Sequence, residues 1–152
     1  MTSSGPDNQA AAVLLAEDEP GIRYTLKAIL EQAGFEVDAV GNFTAASERI
    51  HRDKYDAVVA DIGLERKDLG LQLAREAKRQ KQAPAVLVFT GDPTIEQLRA
   101  AMALPVDYVA FKPMDLEEIK SALARLIAHR RDVLSFGLSA SRSQLPGEGT
   151  KF

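Results

Sequence analysis

Five short runs of apolar residues alternate along this chain with segments in which apolar residues recur every three or four positions. The runs are typical of strands buried on both faces, and the longer segments predict amphipathic helices. Strict alternation of strand and helix indicates a parallel sheet with right-handed crossovers and helices on both faces. The expected strands are residues 11–16, 35–40, 55–61, 85–89 and 106–111, each followed by an expected helix.

Five strands without a long insertion favour a doubly wound α/β fold, the flavodoxin-like three-layer sandwich with strand order 2-1-3-4-5. The 152 residues, 45% of them hydrophobic, are enough for one such domain and too few for a second of ordinary size. We expect a flexible leader at residues 1–10, the domain at residues 11–131 and a tail at residues 132–152. The tail either extends the last helix to about Leu134 and is then disordered, or docks through its apolar residues.

Composition excludes several classes of function. The net charge of −3 gives no basic surface for direct binding of nucleic acid or of a membrane. The chain contains no cysteine, so disulfides and thiolate metal sites are excluded, and a reducing cytoplasm is the expected location. The first residues do not have the pattern of a secretory signal, and no apolar run approaches the roughly 18 residues of a membrane span.

The third apolar run ends on a lone carboxylate, Asp61, at the centre of the edge where open α/β sheets bind ligands. The first run ends at Glu17 and Asp18, the fourth at Thr90 and the fifth at Lys112. Three carboxylates brought together repel one another unless one takes a proton or a cation lies between them. An all-oxygen set with room for water and a phosphate suits Mg²⁺ better than zinc or a complete calcium site.

These side chains fit phosphoryl transfer. A cation would neutralise charge and polarise a phosphoryl group, which leaves Asp61 free to attack phosphorus as a nucleophile. The Lys112 ammonium would pair with one phosphoryl oxygen, and the Thr90 hydroxyl would donate to another. The sequence therefore predicts a phosphoacceptor site around Asp61.

The chain resembles the receiver domain of bacterial two-component response regulators, of the chemotaxis-receiver type, over about residues 11–131. The resemblance is carried by the run at residues 13–20, by Asp61, by Thr90 with the following glycine, and by Lys112 with the following proline. The successive intervals agree as well: 43 residues from Asp18 to Asp61, 29 from Asp61 to Thr90 and 22 from Thr90 to Lys112. Each motif is weak alone, and their order and spacing make the set specific.

The resemblance implies a role for each of these residues. Asp61 would accept the phosphoryl group, with Thr90 as the switch hydroxyl and Lys112 as its catalytic partner. Mg²⁺ would be held by Glu17, Asp18, Asp61 and the backbone carbonyl of Gly63, one or both of the first two acting through water.

Two positions near the fifth strand are less regular. The Lys112-Pro113 peptide bond is expected to be cis, which would aim the lysine. The family's aromatic switch residue stands three positions before the lysine, where this chain has Val109. Tyr108 is one position early and should face the other way by strand alternation. Either a bulge restores Tyr108 to the switch position, or the usual coupling between threonine and aromatic is altered.

The segment after Asp61 also departs from the family pattern. Glu65 stands where the family commonly has proline, and Gly70 comes one residue late. We therefore expect a reshaped loop between the third strand and the third helix, in which Lys67 and Asp68 influence the choice of partner.

The function implied by the resemblance is a phosphorylation-controlled switch rather than an enzyme, with at most slow self-dephosphorylation. A sensor histidine kinase or a histidine phosphotransfer protein would transfer phosphate to Asp61. The added charge of about −1.5 to −2 would then switch the face formed by the fourth helix, fifth strand and fifth helix, roughly residues 94–127, for binding to a downstream protein. A phosphorylation-dependent homodimer is also allowed.

Because no output domain follows, we expect a single-domain regulator or phosphorelay intermediate. A fragment of a longer regulator would have the same sequence features.

Other functions remain open from the residues alone. An aspartyl-nucleophile phosphohydrolase of the haloacid-dehalogenase type gathers similar groups, but it needs a second acid where this chain has Gly63. A flavodoxin-like protein that binds flavin mononucleotide is disfavoured because Glu17, Asp18 and Glu19 would repel the phosphate. A pseudo-receiver that binds partners without being phosphorylated retains every acid of the set.

Local signals predict the helix ends. Asp92 followed by Pro93 is the expected cap and first position of the fourth helix. Asp115 is the expected cap of the fifth helix, with Glu118 completing a capping box and Met114 serving as a hydrophobic staple.

Overall fold

Strands and helices alternate through the computed structural model, which describes residues 9–113 and 115–143. The strands are β1 (Ala12–Ala16), β2 (Glu36–Val40), β3 (Ala57–Asp61), β4 (Ala85–Thr90) and β5 (Tyr108–Phe111). The helices are α1 (Pro20–Gln32), α2 (Phe43–Arg52), α3 (Leu69–Lys78), α4 (Ile95–Ala103) and α5 (Leu116–Ser143), with a 3₁₀ turn at Leu64–Arg66.

The five strands form one parallel sheet in the order β2-β1-β3-β4-β5, which confirms the predicted fold. Ala16 pairs with Ala60, so β1 and β3 end side by side. Asp61 pairs with Phe89 in β4. This register brings the ends of β1, β3 and β4 to one edge of the sheet.

The core lies on both faces of the sheet because the strands send alternate side chains to opposite sides. On one face, β-strand residues such as Val58 and Val88 pack with buried residues of α2, α3 and α4. On the other face, residues such as Val59 and Phe89 pack with α1 and α5. Every residue of β3 is buried. The apolar runs read from the sequence are therefore the centre of a three-layer sandwich.

The start of α4 differs from the sequence prediction. The expected cap at Asp92 with Pro93 in first position is wrong, and Thr94 is the cap. Thr94 Oγ1 accepts from the Gln97 backbone N–H at 3.0 Å, and Gln97 Oε1 accepts from the Thr94 backbone N–H at 3.0 Å. This reciprocal capping box satisfies two backbone donors at the start of α4.

The start of α5 agrees with the prediction in part. Asp115 Oδ1 accepts from the backbone N–H groups of Glu117 and Glu118, at 3.0 and 3.4 Å, as a helix cap does. The carboxylate of Glu118 accepts the Tyr108 hydroxyl. The capping box of Glu118 with Asp115 stays a prediction. The expected staple residue, Met114, lies outside the described residues.

A charged cluster fixes α5 to the sheet edge opposite the strand ends. The Asp56 carboxylate accepts from the Ala12 N–H at 2.9 Å and pairs with Arg130 and Arg131, both at 3.3 Å. Arg130 also donates to the carbonyl of Ala83 at 2.8 Å. Since both guanidinium groups pair with the partly buried carboxylate of Asp56, this part of α5 is held against the sheet.

α5 then continues to Ser143, beyond the end near Leu134 that the sequence suggested. The division at residue 131 between domain and tail stays a prediction, and residues 1–8 of the leader and 144–152 of the tail lie outside the described residues. Within the described part of the chain, none of the helices combines the length and hydrophobicity that crossing a bilayer requires.

Candidate functional site

Three carboxylates meet where β1 and β3 end. Glu17 directly follows β1, and its backbone N–H donates to the Val40 carbonyl at 3.1 Å, which holds the end of β1 beside β2. Glu17, Asp18 and Asp61 each place one carboxylate oxygen within 4.8 Å of the others. The structure therefore brings together the three acids that the sequence predicted as a set.

Asp61 is held by contacts to each of its oxygens. The side chain is buried, with the residue 7% exposed. Oδ1 accepts from the Gly63 backbone N–H at 3.0 Å, and Oδ2 lies 3.2 Å from the Lys112 ammonium. The carboxylate thus has a fixed orientation and a positive partner.

Lys112 reaches Asp61 from the end of β5. Its backbone N–H donates to the Thr90 carbonyl at 2.8 Å, and the Lys112-Pro113 peptide bond is cis. A Cβ atom at Gly91 would lie 3.4 Å from Lys112 Cδ, in ordinary van der Waals contact, so the lysine stem runs close beside Gly91. The ammonium also stands 5.3 Å from the centre of the Phe89 ring, within cation–π range.

Glu17 is the most buried acid of the site, at 1% exposure. Oε2 accepts from the Glu19 backbone N–H at 2.8 Å, whereas Oε1 has no hydrogen-bond partner among the described residues. Lys112 Nζ lies 3.8 Å from Oε1, too far for a hydrogen bond. Burial, reinforced by the negative charge of Asp61, raises the pKa of Glu17 to about 7.

This unsatisfied oxygen bears on the predicted metal. A buried carboxylate oxygen without a partner is costly, and a cation among three carboxylates would satisfy it. The Gly63 carbonyl, the fourth expected ligand, accepts from the Arg66 N–H at 2.8 Å. A carbonyl oxygen has a second lone pair, so this bond leaves one available. The residues present therefore fit Mg²⁺ among oxygen ligands.

Thr90 is the last residue of β4 and is buried. It lies at the same sheet edge, with its carbonyl bound to the backbone of Lys112. Its role as the switch hydroxyl stays a prediction.

The two candidates for the aromatic switch position point to opposite faces of the sheet. Val109 packs on the side of α2, α3 and α4, whereas Tyr108 packs on the side of α1 and α5. The pairing of β4 with β5 is unbroken from Tyr108 to Phe111, so no bulge brings Tyr108 across. The Tyr108 hydroxyl is instead bound to Glu118.

The loop after Asp61 contains the backbone features that sequence reasoning did not foresee. Glu65 and Arg66 both have left-handed backbone angles, with φ of 59° and 60°. The Glu65 carboxylate accepts from the Phe43 N–H at 2.6 Å and so adds to the Asn42 cap of α2. Leu64, just before them, is completely buried and anchors the loop.

Arg23 is a further residue near the site that the sequence did not single out. It donates from Nη1 to the Glu17 carbonyl at 2.9 Å. A Cβ atom at Gly41 would lie 2.8 Å from the same nitrogen, so the arginine occupies space left by that glycine. The sequence signal for this contact was a glycine directly after β2, which leaves space for a long side chain such as the arginine on α1.

The chain is similar to known proteins in sequence. Residues 13–124 match the response regulator receiver domain family. The chain is 30% identical over 115 residues to the transcriptional regulatory protein TctD of Salmonella typhimurium, covering 76% of this chain and 51% of that protein. It is 25% identical over 120 residues to the sensor protein EvgS of Escherichia coli, covering 78% of this chain and 10% of that protein. The chain thus spans about half of the first relative and a small part of the second.

Solved structures agree in fold. A CheY-like response regulator receiver domain protein from Methanospirillum hungatei superposes with a TM-score of 0.76 at 19% identity, covering 81% of this chain and 98% of that one. A sensor protein from Polaromonas sp. gives a TM-score of 0.70 at 28% identity, with coverage of 79% and 98%. The chain belongs to the response regulator receiver domain family of two-component signalling.

Proposed function

We propose that this chain is a phosphorylation-controlled switch whose covalent site is Asp61. The observation that carries the proposal is the pairing of the buried Asp61 carboxylate with Lys112 at 3.2 Å, beside two further acids within 4.8 Å. A structural ion pair would not need Glu17 and Asp18 crowded against it. A phosphoryl group with its cation would use all four side chains.

In the proposed reaction a carboxylate oxygen of Asp61 attacks phosphorus. A bond forms between that oxygen and phosphorus, and the bond from phosphorus to the donor breaks, with its electron pair leaving on the donor. Lys112 balances charge on the transferred group, and the Thr90 hydroxyl donates to one of its oxygens once the group is in place.

Glu17, Asp18 and Asp61 would hold Mg²⁺, together with the free lone pair of the Gly63 carbonyl. When bound, the ion would offset the negative charge of acids and phosphate and polarise the phosphoryl group. The buried, unpartnered Oε1 of Glu17 supports this assignment.

We infer that the donor is a sensor histidine kinase or a histidine phosphotransfer protein in the cytoplasm, and that the output is binding to a downstream protein. The α4-β5-α5 face supports the second point because Ile95, Met102 and Phe111 are exposed there. Exposed apolar side chains grouped on one face are typical of protein contact sites. The same face could serve a homodimer formed on phosphorylation.

The experiment is incubation of the full chain with Mg²⁺ and acetyl phosphate, followed by intact mass measurement. We expect one phosphate adduct that is lost in Asp61→Asn and in the presence of a chelator. Asp92→Asn is the matched control, because Asp92 is an exposed acid near the same sheet edge and should leave the adduct unchanged. A protein that never takes up phosphate would be a pseudo-receiver, and the proposal would fail.

The same measurement separates the switch from a phosphohydrolase. A hydrolase of the aspartyl-nucleophile type needs an acid two residues after the nucleophile, and this chain has Gly63, whose backbone N–H is bound to Asp61. Turnover of many phosphoesters without a lasting adduct would favour the hydrolase.

A further inference from the structure

The β3-α3 loop, residues 62–68, is bound to a helix on each side. On one side, the Glu65 carboxylate accepts from the Phe43 N–H at the start of α2, at 2.6 Å. On the other side, Asp68 Oδ1 accepts from Gln97 Nε2 in the first turn of α4, at 2.7 Å. The loop that leaves Asp61 therefore bridges α2 and α4.

The near end of this loop is in direct contact with Asp61. The Gly63 N–H donates to Asp61 Oδ1 at 3.0 Å. After the loop, the Gly70 N–H donates back to the Ile62 carbonyl at 3.2 Å. A change of charge and size on the Asp61 carboxylate therefore acts on the first residues of the loop.

The far end of the loop reaches the cap of α4 through one side chain. Gln97 donates to Asp68 from Nε2 and accepts from the Thr94 N–H at Oε1. The two ends of one amide group thus join the loop to the capping box. A shift of Asp68 would therefore displace the Gln97 side-chain amide, which caps the first turn of α4.

The route from the site to α4 through β5 is short of polar groups. Val109, three residues before Lys112, has no hydroxyl and packs on the sheet face covered by α2, α3 and α4. Tyr108 lies on the opposite face and is bound to Glu118 of α5. On the α4 side, β5 therefore offers only an apolar contact.

We propose that Asp68 and Gln97 are positioning residues that transmit the phosphorylation state of Asp61 to α4. This inference rests on the proposed function, since it needs a phosphoryl group on Asp61. The β3-α3 loop adjusts when Asp61 is modified, and the Asp68–Gln97 hydrogen bond favours one of two arrangements of the first turn of α4. A state of Asp61 can shift α4 only through contacts that differ between the two arrangements, and this bond supplies one.

The test compares amide NMR signals of α4 in the full chain, with and without excess acetyl phosphate and Mg²⁺, while intact mass reports the adduct. Gln97→Glu keeps the acceptor for the Thr94 N–H, because glutamate suits a capping box, but it replaces the donor to Asp68 with a repelling carboxylate. Adding Asp68→Asn exchanges donor and acceptor and restores the hydrogen bond. Lys67→Ala, at the neighbouring loop position, is the control.

We expect all variants to take up phosphate as the unaltered chain does. In the phosphorylated state, Gln97→Glu should reduce the population of the α4 arrangement that the Asp68–Gln97 bond favours, relative to the other arrangement, by roughly two- to thirtyfold. The double variant should recover the response, and Lys67→Ala should keep it. A loss of capping or folding alone would not be rescued by Asp68→Asn.

The outcomes are separable. If the unaltered chain takes no adduct, the proposed function fails and this inference falls with it. If the adduct forms but Gln97→Glu leaves the α4 signals responding fully, only this inference is overturned. A Gln97→Glu protein that folds but takes no adduct also overturns it, because Gln97 would then act on phosphorylation itself.

Discussion

Gly70, the second residue of α3, lies directly against the main chain of Asp61. A Cβ atom at Gly70 would overlap the Asp61 carbonyl oxygen and lie 2.6 Å from the carbonyl carbon. Atoms at that separation cannot coexist without movement of the backbone. The start of α3 and the proposed phosphoacceptor therefore form one packed unit.

Replacing Gly70 with alanine should destabilise the fold and displace Asp61. Overpacking of this kind costs about 1–3 kcal/mol, and backbone atoms yield less easily than side chains. Urea unfolding measures the loss, and intact mass after acetyl phosphate treatment measures the effect on the site. We expect lower stability together with a slower rate of phosphorylation.

The matched control is Gly21→Ala. Gly21 is also the second residue of its helix, α1, but nothing lies within 4 Å of the position of its Cβ. Alanine there should raise stability by up to about 1 kcal/mol, since alanine favours helix more than glycine does. Equal effects at the two glycines would contradict the contact with Asp61.

Much of the fold follows from short-range signals. Alternation of apolar runs and helical segments predicts a parallel sheet, five strands without a long insertion favour its strand order, and the ends of those runs place Glu17, Asp61 and Lys112 at one edge. Contacts between side chains on different elements have no such signal. The Glu65–Phe43 and Asp68–Gln97 bonds join residues 22 and 29 positions apart, and nothing in the local sequence pairs them.

The cap of α4 shows the same limit at close range. Asp92-Pro93 and Thr94 through Gln97 are both acceptable helix starts by residue type. The structure has the second helix start, in which Gln97 also binds Asp68. That contact depends on the tertiary structure. Likewise, the burial that leaves Oε1 of Glu17 without a partner depends on the whole packed edge.

Lys112→Met should separate metal binding from phosphorylation. The ammonium lies 3.2 Å from Asp61 and 3.8 Å from Glu17, so it competes with any divalent cation for the same carboxylates. Removing it should tighten Mg²⁺ binding by roughly tenfold at low salt, measured by titration calorimetry. Phosphate uptake from acetyl phosphate should nevertheless fall, because the transferred group loses its positive partner.

Lys120→Met is the control for that experiment. Lys120 is exposed to a similar degree as Lys112 but pairs with Glu117 on α5. We expect unchanged Mg²⁺ affinity and unchanged phosphate uptake. Weaker Mg²⁺ binding in Lys112→Met would mean that the lysine organises the acids rather than competing with the ion.

Glu17 should make stability depend on pH in the metal-free protein. Its pKa is raised from 4.5 to about 7 by burial, so the folded state holds a proton that the unfolded state releases. Where the folded state binds more protons, stability falls as pH rises. The loss should run from about pH 4.5 to pH 7, level off above, and amount to about 3 kcal/mol.

Unfolding free energies from pH 5 to pH 8, measured with a chelator present, check this expectation. Glu17→Gln carries no titrating group at the position and should remove most of the decline. Mg²⁺ should reduce the decline in the unaltered chain, because it favours the ionised carboxylate. An identical pH profile for Glu17→Gln would show that the decline comes from other groups.

Arg66→Gly should stabilise the protein. Arg66 has a φ of 60°, a left-handed conformation that costs a residue with a side chain about 1 kcal/mol more than glycine. Its backbone N–H, which donates to the Gly63 carbonyl at 2.8 Å, is retained in the variant. Urea unfolding should therefore show a gain of up to about 1 kcal/mol.

Lys67→Gly is the control, one position later at a φ of −137°. This variant should lose stability, because at that angle glycine only adds conformational freedom to the unfolded chain. Higher stability of Lys67→Gly or lower stability of Arg66→Gly would mean that the loop backbone is not strained. Glu65 and the buried Leu64 would then hold the loop at no conformational cost.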